Sequence, residues 1–230
     1  MLRSLFIQEN IIVKMEALDN LRELRQLNLN DNMVHFVEGL EHCEQLETLY
    51  LKRNRLGKDA RGDIESLRGL LDRPSINTLD ISDNYLTDPA IVDEILIKMP
   101  NLRVLYSSGN EFTRKCKSYR KSVIAKIPNL KYLDDRPVFE EDRRRAEAFV
   151  VGGIEAEREE MKKIKKEKND KHWANHEAFQ LMINRAREEK RLKAEAKEEK
   201  KLTMKEMMAQ AKAEKSQQLL IQNAAGNFPH

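Results

Sequence analysis

His172 and His176 stand four residues apart, with Glu177 beside them. On a helix that spacing brings both imidazoles to one face, where two histidines can share a metal. The order is not H-E-x-x-H, no third ligand is evident and no paired-cysteine spacing occurs, so the pair reads as a polar helix face. The eight glycines form no phosphate-cradling loop, and no G-x-S-x-G elbow appears. Carboxylates are plentiful, but none is expected in an apolar pocket, where a shifted pKa would suit it to proton transfer. Lys162, Lys163, Lys165, Lys166 and Lys168 could touch RNA or a lipid head group. Glu159, Glu160 and Glu167 flank them, and a solvated face is the expectation. His35 and His42 are lone and near acids, and are read as surface or turn residues. The chain is expected to be no enzyme, with no catalytic residue, cofactor or metal.

The chemistry that remains is recognition, and it is tied to a repeat. Residues 46–56, LETLYLKRNRL, fit L-x-x-L-x-L-x-x-N-x-L at every fixed position. That frame is the signature of a leucine-rich repeat. Residues 2–12, 24–34, 76–86 and 102–112 fit it too. Their asparagines, Asn10, Asn32, Asn54, Asn84 and Asn110, fall at intervals of 22, 22, 30 and 26. An amide inside the turn after a short strand can bond backbone groups that the turn leaves unpaired. These five are expected to form a structural ladder.

Apolar positions two apart on a strand face the core, and the residue between them faces out. One outward column is Phe6, Asn28, Tyr50, Asp80 and Tyr106, with Tyr132 a candidate in the cap. A neighbouring column is Gln8, Asn30, Lys52, Ser82 and Ser108. Exposed aromatics beside polar groups are what protein interfaces enrich. Phe6, Asn28, Tyr50, Lys52, Asp80 and Tyr106 are therefore the expected partner-binding residues, although strands favour Tyr and Phe in any case.

One repeat cannot bury its own apolar face, so the repeats must stack. The expected fold is an α/β leucine-rich-repeat solenoid: a short curved parallel sheet with convex turns and helices, followed by a long charged α-helical tail. Residues 1–118 hold five repeats, with strands near 2–7, 24–29, 46–51, 76–81 and 102–107. Connectors 13–23 and 35–45 are too short for more than about a helical turn. Residues 63–71 carry Ile64, Leu67, Leu70 and Leu71 on one helical face, and Pro74 follows. Residues 90–98 follow Asp88 and Pro89, a good cap and first helical residue, and turn Ile91, Ile95 and Leu96 inward.

Residues 119–137 read as a degenerate cap. Val123, Ile124 and Ile127 face inward, Leu130 and Leu133 begin a strand, and the asparagine position falls on Val138. No polar cap precedes the first repeat, which suggests a shortened N-terminus. Residues 138–230 read as a charged helical extension, partly disordered. In residues 155–215, 32 of 61 are charged, too many for a core. Gly152 and Gly153 should break or kink the helix. No sustained heptad appears, so a solvated helix is expected over a coiled coil.

Charged residues make up 35% of the 230-residue chain, yet the net charge is only +3. That balance gives little support for nucleic-acid binding. The two cysteines, Cys43 and Cys116, make no disulfide framework, which fits a reducing compartment. No signal peptide or membrane span is visible. The expectation is a soluble intracellular monomer.

At the cap the residues become recognisable. YLDDRPVFEEDRRRAEAFVVGGIEAEREE (132–160) closely resembles the leucine-rich-repeat dynein axonemal assembly factor 1 family. DISDNYLTDPAIVDEILIKMPNLRVL (80–105) and LRSLFIQENII (2–12) resemble it as well. The resemblance covers roughly residues 2–190, and its most specific parts are LDDRPVF and R-x-A-E-A-x-x-x-G-G. The third connector and residues 114–119 depart from it. The resemblance implies a non-enzymatic scaffold for cytoplasmic pre-assembly of axonemal dynein arms, in a cell with cilia or flagella. Implied partners are axonemal dynein chains, chaperones and other assembly factors. Two alternatives remain open: a regulatory subunit of a protein phosphatase, and a spliceosomal-type repeat adaptor.

Overall fold

The fold comes from a computed structural model that describes residues 2–225, with side chains to residue 212. Each repeat contributes one three-residue strand: β1 Ser4–Phe6, β2 Gln26–Asn28, β3 Thr48–Tyr50, β4 Thr78–Asp80 and β5 Val104–Tyr106. They pair in chain order, all parallel, with Leu5, Leu27, Leu49, Leu79 and Leu105 in register. The last four of these leucines are fully buried, and Leu5 packs partly buried against them. The frame thus folds as its periodicity predicts, into a parallel solenoid sheet over one shared core.

Each strand leaves through the same tight turn. The residue before the ladder asparagine is left-handed: Glu9, Asp31, Arg53 and Asp83 lie at φ 57°, 56°, 53° and 53°. The fifth repeat uses Gly109, at φ 81°, and a Cβ there would come 2.0 Å from an Asp83 carboxylate oxygen. Glycine is required by space as well as by conformation.

Connector length decides what the convex side can form. Connectors 13–23 and 35–45 make only bends and turns, and bury Met15, Leu18, Val37, Leu40 and Cys43. Burial pushes the Cys43 thiol up. The longer connectors hold helix α1 Asp63–Leu67 and helix α2 Ile91–Glu94, each running on into one 3-10 turn. Asp88 accepts the Ala90 N–H at 2.8 Å, and Ile91, Ile95 and Leu96 are buried. Helix α3 Glu111–Lys115 was not announced by any periodicity, because Phe112 is its one buried residue.

The cap differs from the expectation in two ways. Helix α4 Tyr119–Lys126 leads to β6 Tyr132–Leu133, parallel to β5, and β7 Arg136–Pro137 turns back antiparallel. The fifth repeat departs from the frame, because Ser107 stands at an apolar position and is fully buried. Its hydroxyl bonds the Tyr119 hydroxyl and an Asp134 carboxylate oxygen. Asp134 also accepts the Ser107 N–H at 2.7 Å and the Ser108 N–H at 2.9 Å. Asp134 thus takes the accepting half of the role asparagine plays in the repeats, since a carboxylate has no N–H to give a carbonyl. Val138, where the frame puts that asparagine, is buried as a hydrophobe.

Helix α5 spans Glu140–Ala225 and is broken at Gly152 and Gly153, the second at φ 68° and ψ −153°. The chain divides into two compact units, Met1–Ile164 and Lys165–His230. Residues 138–164 fall within the unit that holds the repeats, whereas the sequence sets a boundary at 138. Charge placement explains it. Arg143 donates to the carbonyls of Ile124, Ile127 and Leu130, at 2.7, 3.1 and 2.7 Å. The stretches on either side of the glycines are tied by Arg144–Glu160 at 2.6 Å and Arg145–Glu157 at 3.1 Å. In the second unit, all described side chains are exposed except Ile183, which is half-buried. The partial disorder expected towards residue 230 lies in part outside the described residues.

Candidate protein-binding face

The asparagines behind the sheet show how the face is held. Asn54 accepts the Val34 N–H at 3.0 Å and donates to the Leu29 carbonyl at 2.9 Å, so one side chain ties two repeats together. Asn32 does the same with the Ile12 N–H and the Ile7 carbonyl, both at 3.0 Å. Asn84 accepts the Leu56 N–H at 3.1 Å and donates to the Leu51 carbonyl at 2.9 Å. Asn110 accepts the Leu86 N–H at 3.3 Å and donates to the Ile81 carbonyl at 2.8 Å. All four are buried. Asn10 is exposed, and its amide donates locally to the Ile7 and Gln8 carbonyls.

The strand register sets the outward columns. Phe6, Asn28, Tyr50, Asp80 and Tyr106 are aligned across β1 to β5. Tyr132 pairs with Val104 and so belongs one column over, with Ser4, Gln26, Thr48 and Thr78. The Tyr106 and Tyr132 rings still meet, 5.7 Å apart and tilted at 54°.

Within the column the residues differ in availability. Phe6 is 55% exposed. Tyr50 and Tyr106 are half-buried, and desolvation followed by the neighbouring Tyr132 pushes the Tyr106 phenol up. Asn28 spends its side-chain oxygen on the Asn30 N–H at 3.0 Å. Asp80, expected at the surface, is only 9% exposed and accepts the Ser82 N–H at 2.9 Å. Burial raises its carboxyl above the usual range, opposed by the Ser82 hydrogen bonds. In the next column Asn30 accepts the Lys52 N–H at 2.8 Å, and Lys52 faces Asp83 at 3.5 Å. The aromatic side chains of this face are Phe6, Tyr50, Tyr106 and Tyr132, set among polar groups that mostly serve the backbone.

A third row was not singled out from the sequence. Residues at the frame's second position, Arg3, Arg25, Glu47, Asn77, Arg103 and Lys131, form the leading edge of the sheet. From Arg25 onwards each N–H bonds the carbonyl of the residue before it in the row, at 2.7–2.9 Å. Counting charge by frame position, instead of by sequence window, would have found this basic edge.

Elsewhere, His172 and His176 lie on the exposed helix, each with its ring edge-on to Trp173, at 6.2 and 6.0 Å. Among the described residues no group of three or more His, Cys, Asp or Glu could hold a metal ion. Among the same residues no helix is long and apolar enough to cross a membrane.

The family model for the leucine-rich repeat matches residues 12–165. The chain belongs to the leucine-rich repeat family. That span includes residues 138–164, which the fold also assigns to the repeat unit.

Among leucine-rich repeat relatives, the Chlamydomonas reinhardtii protein ODA7 is 42% identical over 119 residues, 52% of this chain and 27% of that protein. Dynein axonemal assembly factor 1 of Mus musculus is 42% identical over 129 residues, 56% of this chain and 20% of that protein. The resemblance to the dynein axonemal assembly factor 1 family read from the sequence therefore holds, over about half of the chain. The chain spans about a quarter or less of the length of these relatives. The Drosophila melanogaster SNF/U2A′ complex contains a similar fold, with a TM-score of 0.54 and 24% identity, covering 68% of this chain and 87% of that one.

Proposed function

We propose that this leucine-rich repeat chain is a non-enzymatic scaffold in the assembly of axonemal dynein arms, acting in the cytoplasm before the arms reach the cilium or flagellum. The observation that carries this reading is the 42% identity, over about half of the chain, to relatives named for that process. The concave sheet suits such a role. It is rigid, being cross-linked repeat by repeat, and its half-buried tyrosines offer area at low entropic cost. Dynein chains, chaperones or other assembly factors are the partners of this proposal.

The test is affinity capture of the tagged chain from flagellated cells, read by mass spectrometry. Dynein heavy or intermediate chains recovered together with chaperones are the expected result. Recovery of a phosphatase catalytic subunit or a ribonucleoprotein, without dynein, would overturn the function and leave the fold untouched.

A further inference from the structure

The concave face is not uniform in charge. Along its trailing edge Glu9, Asp31, Arg53 and Asp83 succeed one another, and most of that charge is paired internally. Arg53 reaches Asp31 at 3.1 Å and Asp83 at 4.0 Å, and Lys52 reaches Asp83 at 3.5 Å. On the leading edge Arg25 is held by Glu47 at 2.9 Å. Arg103 and Lys131 differ. They are neighbours on that edge, joined through the Lys131 N–H and the Arg103 carbonyl at 2.7 Å. Both are exposed, and among the described residues neither side chain has an ion-pair or hydrogen-bond partner. Tyr132 follows Lys131 in the chain, and its ring forms the tilted pair with that of Tyr106, on the strand that Arg103 leads into.

We propose that this corner, made by Arg103, Lys131, Tyr106 and Tyr132, is a docking site for an extended acidic peptide segment of a partner protein. The proposal deepens the scaffold reading and rests on it, by giving the partner's chemistry. The argument is charge complementarity. Arg103 and Lys131 stand just before adjacent strands, whose backbones run about 5 Å apart, and carboxylates at alternate positions of an extended peptide recur about every 7 Å, a spacing that two long, flexible side chains can follow. The tyrosine rings provide apolar walls, and their hydroxyls can donate to a carboxylate. The strands here are already paired on both sides, so recognition runs through side chains and not through an added strand. A nucleic-acid backbone fits less well, because the chain's net charge is only +3 and the unpaired cations here are two, where a phosphate backbone is held by a longer basic row.

The test uses the full chain and a fluorescein-labelled peptide alternating glutamate and phenylalanine, with fluorescence anisotropy as the readout. Binding should weaken with salt. The Arg103→Glu plus Lys131→Glu variant should weaken it by about tenfold or more. Lys14→Glu plus Lys98→Glu, which makes the same charge change in the convex connectors, should leave it nearly unchanged. Far-ultraviolet circular dichroism checks that both variants fold. No binding, or equal loss in both variants, overturns the proposal. So does tighter binding of a uridine oligonucleotide that the Arg103/Lys131 variant abolishes. Dynein capture by the same variants separates the two readings. Undiminished capture without peptide binding sinks the docking site alone, whereas specific peptide binding without any dynein capture sinks the assembly reading alone.

Discussion

On the inner side of the sheet, Leu27, Leu49, Leu79 and Leu105 occupy equivalent positions, and all four are fully buried. One residue further along each strand, Asn28, Tyr50, Asp80 and Tyr106 are equally well aligned but differ in size, charge and exposure. The backbone is the same on both sides, so the difference is one of constraint. A stacked core accepts only one shape at each level. The outer face has no such neighbour to satisfy, and variation there is free to encode a partner.

The sharpest way to break that comparison is to truncate adjacent residues on β3. Leu49→Ala removes a fully buried side chain from the middle of the stack and should cost about 3 kcal/mol. Urea denaturation followed by circular dichroism would measure it. A loss under about 1 kcal/mol would mean the core relaxes around the site, and the inner side is less constrained than its uniformity suggests.

Asn54→Ala comes next, at about 1–3 kcal/mol. It removes the acceptor for the Val34 N–H and the donor to the Leu29 carbonyl, both buried, so the loss is one of unpaired backbone groups rather than of volume. A change near zero in the same denaturation experiment would refute the ladder. Asn10→Ala is the internal control. Its exposed amide bonds only the Ile7 and Gln8 carbonyls, and it should cost much less.

Tyr50→Ala with Tyr106→Ala should cost about 1 kcal/mol per site or less, mostly lost strand preference, and leave the fold intact. Sharp, dispersed amide resonances in the double variant would show it. Collapse of the fold would move these tyrosines from the outer face into the core.

The inner side was legible in the sequence because it repeats. Five asparagines and their leucines announce the register without any coordinates. The outer side was legible only as columns, and two readings there changed. Tyr132 lies one column over because β6 enters in register with Val104. Asp80 is buried, since Ser82 two residues on gives its carboxylate a local donor. The cap end was harder. Its polar network puts Ser107 at an apolar position of the frame and draws its acceptor from Asp134, upstream of the asparagine position at Val138, and neither has a periodicity to betray it. Arg143, three carbonyls in its grasp, was hidden among Arg143–Arg144–Arg145 in a segment that composition alone marks as solvated.

That cap end allows the smallest and most selective test, because polar contacts close the core there where the repeat frame supplies none. Glu157 is buried, with Lys121 at 2.5 Å and Arg145 at 3.1 Å. The Lys121 hydrogen bond holds its carboxyl below the ordinary value. A depressed carboxylate contributes stability that is present above the unfolded-state pKa and lost as pH falls through the folded one. Lys121 and Arg145 are each more than a third exposed, so water screens the pair, and Glu157→Gln should cost about 1 kcal/mol at neutral pH. The two proteins should converge in acid, where the native side chain is protonated and as neutral as glutamine. Thermal denaturation at a series of pH values would follow the gap. A gap that persists undiminished below the ordinary carboxylate range would mean that Glu157 holds the segments beside Gly152 and Gly153 by shape rather than by charge.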